Sequence, residues 1–312
     1  MARARTIPDD YPAFAGLPVT KVDLSAAVCA AVHVAGRLSS TRLPVVCLAG
    51  YQRNMSDFSD FAAYFRRVGG GEWPVVLIDL PGRGRADDRP PTEDYGSFSD
   101  ACDVASVMAA LGIGKAIILG QGHGGQVGMA LAAHHPLLIA GTVLLDSGPV
   151  TDSRGIVRLR NNLHHVATLR GAKAVTAGFR RILGGAYPGL AEAQLDRLVG
   201  RTHMIDKRGR PQPLYDERLM AAVADITVDD ILQPQWPLFD ALRCAPLMLL
   251  RTQHTDQLRR ETFDEMVRRR PDATAITIAG QGSPALFDQR EEIEAVAEFV
   301  INTNRLLLGR AA

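Results

Sequence analysis

The stretch from Lys115 to Gly125 limits what this chain can become more than any other. Lys115-Ala116-Ile117-Ile118-Leu119 reads as a short buried strand, and it stops at Gly120-Gln121-Gly122-His123-Gly124-Gly125. Helical spacing then runs to about His135. A glycine-rich turn between a strand and a helix serves two different chemistries. In the G-x-G-x-x-G arrangement, backbone N–H groups at the helix start hold a pyrophosphate and a later acid holds a ribose hydroxyl. Gly120, Gly122 and Gly125 fit that spacing, with Asp146 at the end of the next strand. In the G-x-S-x-G arrangement, the central residue is a nucleophile held at a strained bend with positive φ. Gly120 and Gly124 fit its two ends, and the centre is Gly122. A side-chain-bearing residue there is strained by about 1–3 kcal/mol, and glycine relieves most of that strain. Glycine also brings no reactive atom.

The surroundings separate the two. A dinucleotide-binding domain usually opens with its fingerprint on the first strand, and here at least two strand–helix units come earlier. Residues 19–36 read as two strands and residues 44–49 as a buried strand stopped by Gly50. Residues 57–68 put Phe58, Phe61, Phe65 and Val68 on one helical face. Residues 74–79 form the next strand, residues 98–111 a helix, and residues 141–145 a strand. Strand and helix alternating with short connections imply an α/β fold, a mostly parallel sheet flanked by helices. The rhythm breaks over residues 151–237, which show helical patterns and no convincing strand, and resumes at residues 246–251, 258–269, 274–278 and 288–306. The expected organisation is therefore a core of residues 1–150 and 238–312 with residues 151–237 inserted as a helical cap.

Composition excludes several classes. A formal net charge of +1 leaves no electrostatic footprint for nucleic acid or an acidic membrane. The densest basic clusters, Arg259-Arg260 and Arg268 to Arg270, read as a solvated helix face. Cys47 and Cys244 read as small core residues, none of the four cysteines forms a Cys-x-x-Cys pair, and a reducing cytoplasm is the simplest setting. The first ten residues carry no apolar segment of the signal-peptide kind, and no stretch approaches the roughly 18 apolar residues of a membrane span. No Cys/His/Asp cluster has metal spacing, and no cofactor is expected.

Five stretches in order carry a family resemblance. Leu48-Ala49-Gly50-Tyr51-Gln52-Arg53-Asn54 is similar to a His-Gly-x-x-x-Asn loop with Ala49 for His. Asp79-Leu80-Pro81-Gly82-Arg83-Gly84-Arg85-Ala86-Asp87 is similar to a D-x-R/P-G-x-G-x-S turn with Ala86 for Ser. The glycine turn at 120–124, the run Leu144 to Pro149, and the loops 249–256 and 279–286 complete the set. Together they resemble bacterial α/β-hydrolases of the esterase-like kind. The resemblance implies an α/β-hydrolase fold, with the nucleophile position at Gly122, the acid at Asp256 and the base at Gly282, or at Ser283 if one gap is allowed.

Two of those three positions cannot do their part of the chemistry. Gly122 has no side chain, and neither Gly282 nor Ser283 is an imidazole. Ester hydrolysis needs a nucleophile, a base to take its proton and an acid to orient the base. The oxyanion hole is made of backbone and can survive, with the N–H groups of His123 and Tyr51 as its donors. The expected function is a hydrolase-fold protein without ordinary Ser-His-Asp hydrolysis. It would bind a small ligand bearing a carbonyl or carboxylate, near Tyr51, His123, Gln121, Arg53, Ser283 and Trp236. Besides an active ester hydrolase whose nucleophile lies elsewhere in the chain, two alternatives remain open. One is serine-independent chemistry, as a hydrolase, lyase or isomerase, through His123, His254 or Asp256. The other is an oxidoreductase that binds a dinucleotide at Gly120, Gly122 and Gly125.

Overall fold

The computed structural model describes residues 5–65, 67 and 72–309. Eight strands form one sheet in the order β1-β2-β4-β3-β5-β6-β9-β10. β1 (Thr20–Ser25), β2 (Val28–Ala35) and β4 (Val75–Asp79) pair antiparallel in that order. β4, β3 (Val45–Leu48), β5 (Ala116–Gln121), β6 (Ile139–Leu145), β9 (Leu247–Thr252) and β10 (Thr274–Ile278) are all parallel.

The middle strands β3, β4, β5 and β6 are buried at every residue. They are mostly apolar because helices cover both faces of the sheet. Strand alternation divides their side chains. Val45, Cys47, Ile117, Leu119, Val143 and Leu145 face α1 (Ser59–Phe65) and α10 (Arg290–Leu308). Val46, Leu48, Ile118 and Leu144 face α2 (Ser97–Ala110) and α3 (His123–His134), with α9 (Arg260–Arg269) on the same side. A 3-10 turn at Met55–Phe58 precedes α1, so this helix begins later than the spacing of its phenylalanines predicts. Val68 lies outside the described residues.

β3 has β4 on one side and β5 on the other. The chain thus runs outward from β3 in one direction and then in the other. Loops leaving the carboxyl ends of two such strands splay apart, and open α/β sheets bind ligands in the crevice between them. In this sheet order the rule points to the region between the loop after β3 and the turn after β5.

The segment between β6 and β9 lies against the loops at this edge. It holds α4 (Ser153–Thr168), α5 (Ala172–Ala186), α6 (Glu192–Gly200), α7 (Arg218–Ala221) and α8 (Trp236–Asp240). It also holds a small antiparallel pair, β7 (His203–Ile205) with β8 (Pro211–Pro213), in a stretch where the sequence shows no strand. Strands of three residues are too short to give a period, and Pro211 and Pro213 are tolerated because a two-stranded ribbon is all edge. Polar clasps fasten the segment down. Gly84 N–H donates to Leu214 O (2.8 Å), Asp216 N–H to Gly82 O (2.8 Å) and Asn54 Nδ2 to Arg201 O (2.6 Å).

Two further expectations are corrected. Cys244 is exposed, because it belongs to a 3-10 turn before β9 and not to the strand itself. Arg270 is buried, donating to Leu242 O (2.9 Å) and Ala245 O (3.1 Å), where the basic run reads as solvated. Arg259 is also engaged, pairing with Asp152 at the start of α4 (2.6 Å). Among the described residues no helix is long and apolar enough to cross a membrane.

The loops around the crevice are set by Asp79, the last residue of β4. Its buried carboxyl accepts from Met55 N–H (2.6 Å) and Arg85 N–H (2.9 Å), and burial raises its pKa to about 6 against those two bonds. Asp79→Ala orphans both donors and is expected to lower unfolding free energy by about 2–4 kcal/mol in urea titrations. A loss under 0.5 kcal/mol would show that the two loops hold themselves.

Candidate active site

The bend after β5 has the geometry that its glycine pattern predicts. Gly122 sits at φ +52° and ψ −117°, a region that side-chain-bearing residues avoid. Its N–H donates to Leu145 O on β6 (2.9 Å), and its carbonyl accepts from Gly125 N–H (3.1 Å), so the first turn of α3 closes on the bend. The flanking glycines serve close packing. A Cβ on Gly120 would lie 2.5 Å from Gly125, and one on Gly124 would lie 2.0 Å from Leu48 O. The helix start is therefore pressed onto β5 and β3.

A Cβ on Gly122 would meet two things in front of the bend. Gly50 Cα, at the end of β3, would be 3.9 Å away, and Gln257 Oε1 only 2.5 Å away. The end of the exposed Gln257 side chain thus approaches the point where a side chain at position 122 would begin. Sequence reasoning missed this residue, whose only signal was its place directly after Asp256.

The two expected donors flank the bend in the chain, His123 following Gly122 and Tyr51 following Gly50. Among the described residues, neither the His123 N–H nor the Tyr51 N–H finds an acceptor. The Tyr51 ring stands edge-on to His123 with centroids 5.1 Å apart, and Tyr51 O accepts from Arg83 Nε (2.8 Å). The His123 ring points to the back of the site, with Nε2 2.8 Å from Asp100 Oδ2. Asp100 is fully buried between Arg83 (3.0 Å) and Arg89 (3.1 Å). Burial pushes its carboxyl up, but Arg83, His123 and Arg89 together hold it well below the usual carboxylate range.

The loops expected to carry the acid and the base make other contacts as well. Asp256 Oδ2 accepts from Arg158 Nε of α4 (2.9 Å). His254 is exposed, and its N–H donates to Gln281 O (3.1 Å). A Cβ on Gly282 would lie 2.8 Å from Ala186 Cβ and 3.0 Å from Ala186 O, at the end of α5. Beside it, Tyr187 Oη donates to Pro284 O (2.6 Å).

Comparison with known proteins settles what this architecture is. A model of the alpha/beta hydrolase family matches residues 45–296. The chain belongs to the alpha/beta hydrolase family. A 3-hydroxybutyrate-oligomer hydrolase from Cupriavidus necator is 25% identical over 283 residues, 86% of this chain and 92% of the relative. Among solved structures, an alpha/beta hydrolase from Novosphingobium aromaticivorans superposes with a TM-score of 0.77 at 28% identity, covering 91% of this chain and 98% of the other. E-2-(acetamidomethylene)succinate hydrolase superposes with a TM-score of 0.73 at 18% identity, covering 91% and 99%.

The remaining residues expected at the site of this alpha/beta hydrolase fare differently. Gln121 is buried beneath the bend, with neither atom of its carboxamide partnered. Arg53 lies against Gly50, but its guanidinium pairs with Asp57, Nη2 to Oδ1 at 2.7 Å, so it is a largely neutralised cation. Trp236 is drawn into packing. Its ring lies under the Arg269 guanidinium at 3.9 Å and against Phe239 at 5.9 Å. Among the described residues no group of three or more His, Cys, Asp or Glu side chains could hold a metal ion.

Ser283 lies close to Asp146 and helps to hold its carboxyl down, although its geometry falls short of a full hydrogen bond. Asp146 is buried at the end of β6 and accepts from the Thr252 N–H and hydroxyl, both at 2.7 Å. Burial outweighs these bonds and raises its pKa to about 6. A carboxyl raised on folding stabilises the fold fully below its unfolded value, and that contribution is lost as pH rises through the folded value. The stability of the native chain relative to Asp146→Asn should therefore fall by roughly 2–3 kcal/mol between about pH 4 and pH 7. Denaturant titrations across that range test it, and a constant difference would show that Asp146 does not titrate there.

Proposed function

We propose that this chain is a ligand-binding member of the alpha/beta hydrolase family that does not perform Ser-His-Asp hydrolysis. It holds a small molecule bearing a carbonyl or carboxylate at the bend after β5, with residues 151–237 as a cap over the core of residues 1–150 and 238–312. One observation carries the reading. The strained bend is intact, yet it presents a glycine where attack on a carbonyl would begin.

Four supports stand beside it. The base position is glycine, and Ala186 leaves no room there for a Cβ, let alone an imidazole. The acid position is engaged by Arg158. The His123 amide opens α3, where the helix dipole favours a partial negative charge, and the Tyr51 ring lies 5.1 Å from that of His123. Its relatives are named as hydrolases of carbonyl compounds, which fits a carbonyl-bearing ligand here.

A second reading rests on the His123–Asp100 pair, an imidazole and a carboxylate 2.8 Å apart beside the bend. It would allow His123 to act as a base toward a bound water. The ring's Nε2 is already committed to Asp100, and Arg83 and Arg89 draw off that carboxylate's charge. The geometry therefore favours anchoring over proton transfer.

Nitrophenyl ester assays separate these readings. The native chain is expected to show no turnover above buffer. Gly122→Ser alone should also stay at background, because a hydroxyl without a base is a poor nucleophile. Gly282→His should lower the melting temperature by several degrees through its clash with Ala186. Native turnover that is abolished by His123→Gln would establish the second reading and defeat the first.

A further inference from the structure

We infer that Glu292 is a pH-sensitive latch: neutral, it fastens the loop of residues 279–288 against the cap, and ionised, it loosens that hold. The latch is independent of what the bend after β5 binds, although the loop it controls carries Gly282 and Ser283.

The latch is built on Gln281, a buried side chain that bonds in both directions. Its Oε1 accepts from Leu286 N–H (2.7 Å), which closes the loop on itself. Its Nε2 donates to Glu292 Oε1 (2.5 Å) in the first turn of α10. From the closed loop come contacts with the cap. Gly282 abuts Ala186, Pro284 O accepts from Tyr187 Oη (2.6 Å), and Leu286 packs with Tyr187, Leu195 and Leu198. Phe287, next along the chain, stands at φ +51° and is buried against Phe58 and Phe61, with ring centroids 6.4 and 5.1 Å apart. Strain of that kind persists only where surrounding contacts hold it, and the Leu286 N–H bond is one of those contacts.

Glu292 is poorly placed to carry a charge. Its Oε2 is buried without a partner among the described residues. An unpaired buried oxygen is far less favourable on a carboxylate than on a neutral carboxyl. Asp288 on the loop and Glu291 on the same helix add like charge, and among the described residues no Lys, Arg or His offsets it. Arg290 pairs with Glu294 (2.7 Å). Arg197 and Arg201 of the cap line a cleft with Leu286, Asp288 and Ile293, but Arg201 pairs with Asp60 (2.9 Å) and neither pairs with Glu292. Burial, with Asp288 and Glu291, pushes the Glu292 carboxyl up from its ordinary 4.5 to about 7, and only the Gln281 bond opposes them. Opening the loop returns the carboxyl to water. The raised group therefore favours the closed loop fully below its ordinary value, and that advantage is lost as pH rises through the value in the closed form.

Hydrogen exchange at the Leu286 amide, compared between the native chain and Glu292→Gln, reads the latch. A carboxamide at 292 still offers Gln281 an acceptor and cannot ionise. Intrinsic exchange follows pH identically in the two chains, so their ratio isolates the loop. Protection of Leu286 in the native chain relative to the variant should fall at least tenfold between about pH 5 and about pH 8. The carbon-13 shift of the Glu292 carboxyl needs no such variant. Its midpoint should lie at about 7 in the native chain and move down in Asp288→Asn. A midpoint at the ordinary 4.5, or a protection ratio constant with pH, would overturn the latch. So would a Leu286 amide that exchanges only as slowly as Leu119 in β5, because the loop would then open only with the whole fold.

Discussion

The structure depends on a single backbone bend. At Gly122 the chain turns from the middle of the sheet into α3 through a conformation that other residues adopt only under strain. The bend is tied to β6 through Leu145 and to the first turn of α3 through Gly125. Close packing of Gly120 and Gly124 against helix and neighbouring strand fixes where the helix begins. Once these are set, the His123 amide, the loop after β3 and the loop after β9 converge on one small space. The sheet order gives that space its opening, because β3 and β5 are the strands whose exit loops diverge.

Polar clasps around the bend do what apolar packing cannot. Asp79 ties together the loops after β3 and β4, and Asp146 ties the end of β6 to β9. Asp100 draws Arg83, Arg89 and His123 into one buried cluster behind the site. Each is a buried carboxyl at or near the carboxyl edge of the sheet, and each is satisfied by groups from a different part of the chain. Removing any one partner would leave the other buried without compensation, which is far more costly than the pair is stabilising. The result is a rigid frame around a position that carries no side chain.

Much of this was legible in the sequence. Apolar runs such as Val75 to Ile78 and the alternation of strands with helical spacing define a parallel sheet, and the glycine turn at 120–124 locates the bend. The β7–β8 pair was not legible, because three residues give no period. The burial of Arg270 was hidden in a run of arginines, where only the carbonyls of Leu242 and Ala245, distant in sequence, decide the outcome. At the site, motif order led to the expectation of Gly122, Gly282 and Asp256, but motif order says nothing of where side chains go. Arg158 lies far along the chain from Asp256, and Ala186 far from Gly282. Those contacts are made only when the segment after β6 folds over the sheet. Gln257 was invisible for the same reason.

The central claim is that the bend presents no nucleophile to a bound carbonyl. Intact-protein mass measurement after prolonged incubation with a fluorophosphonate tests this most directly, since the reagent reports an activated hydroxyl without presupposing a substrate. The account predicts an unmodified mass. A stoichiometric adduct on a single residue lining the space around Gly122 would contradict it.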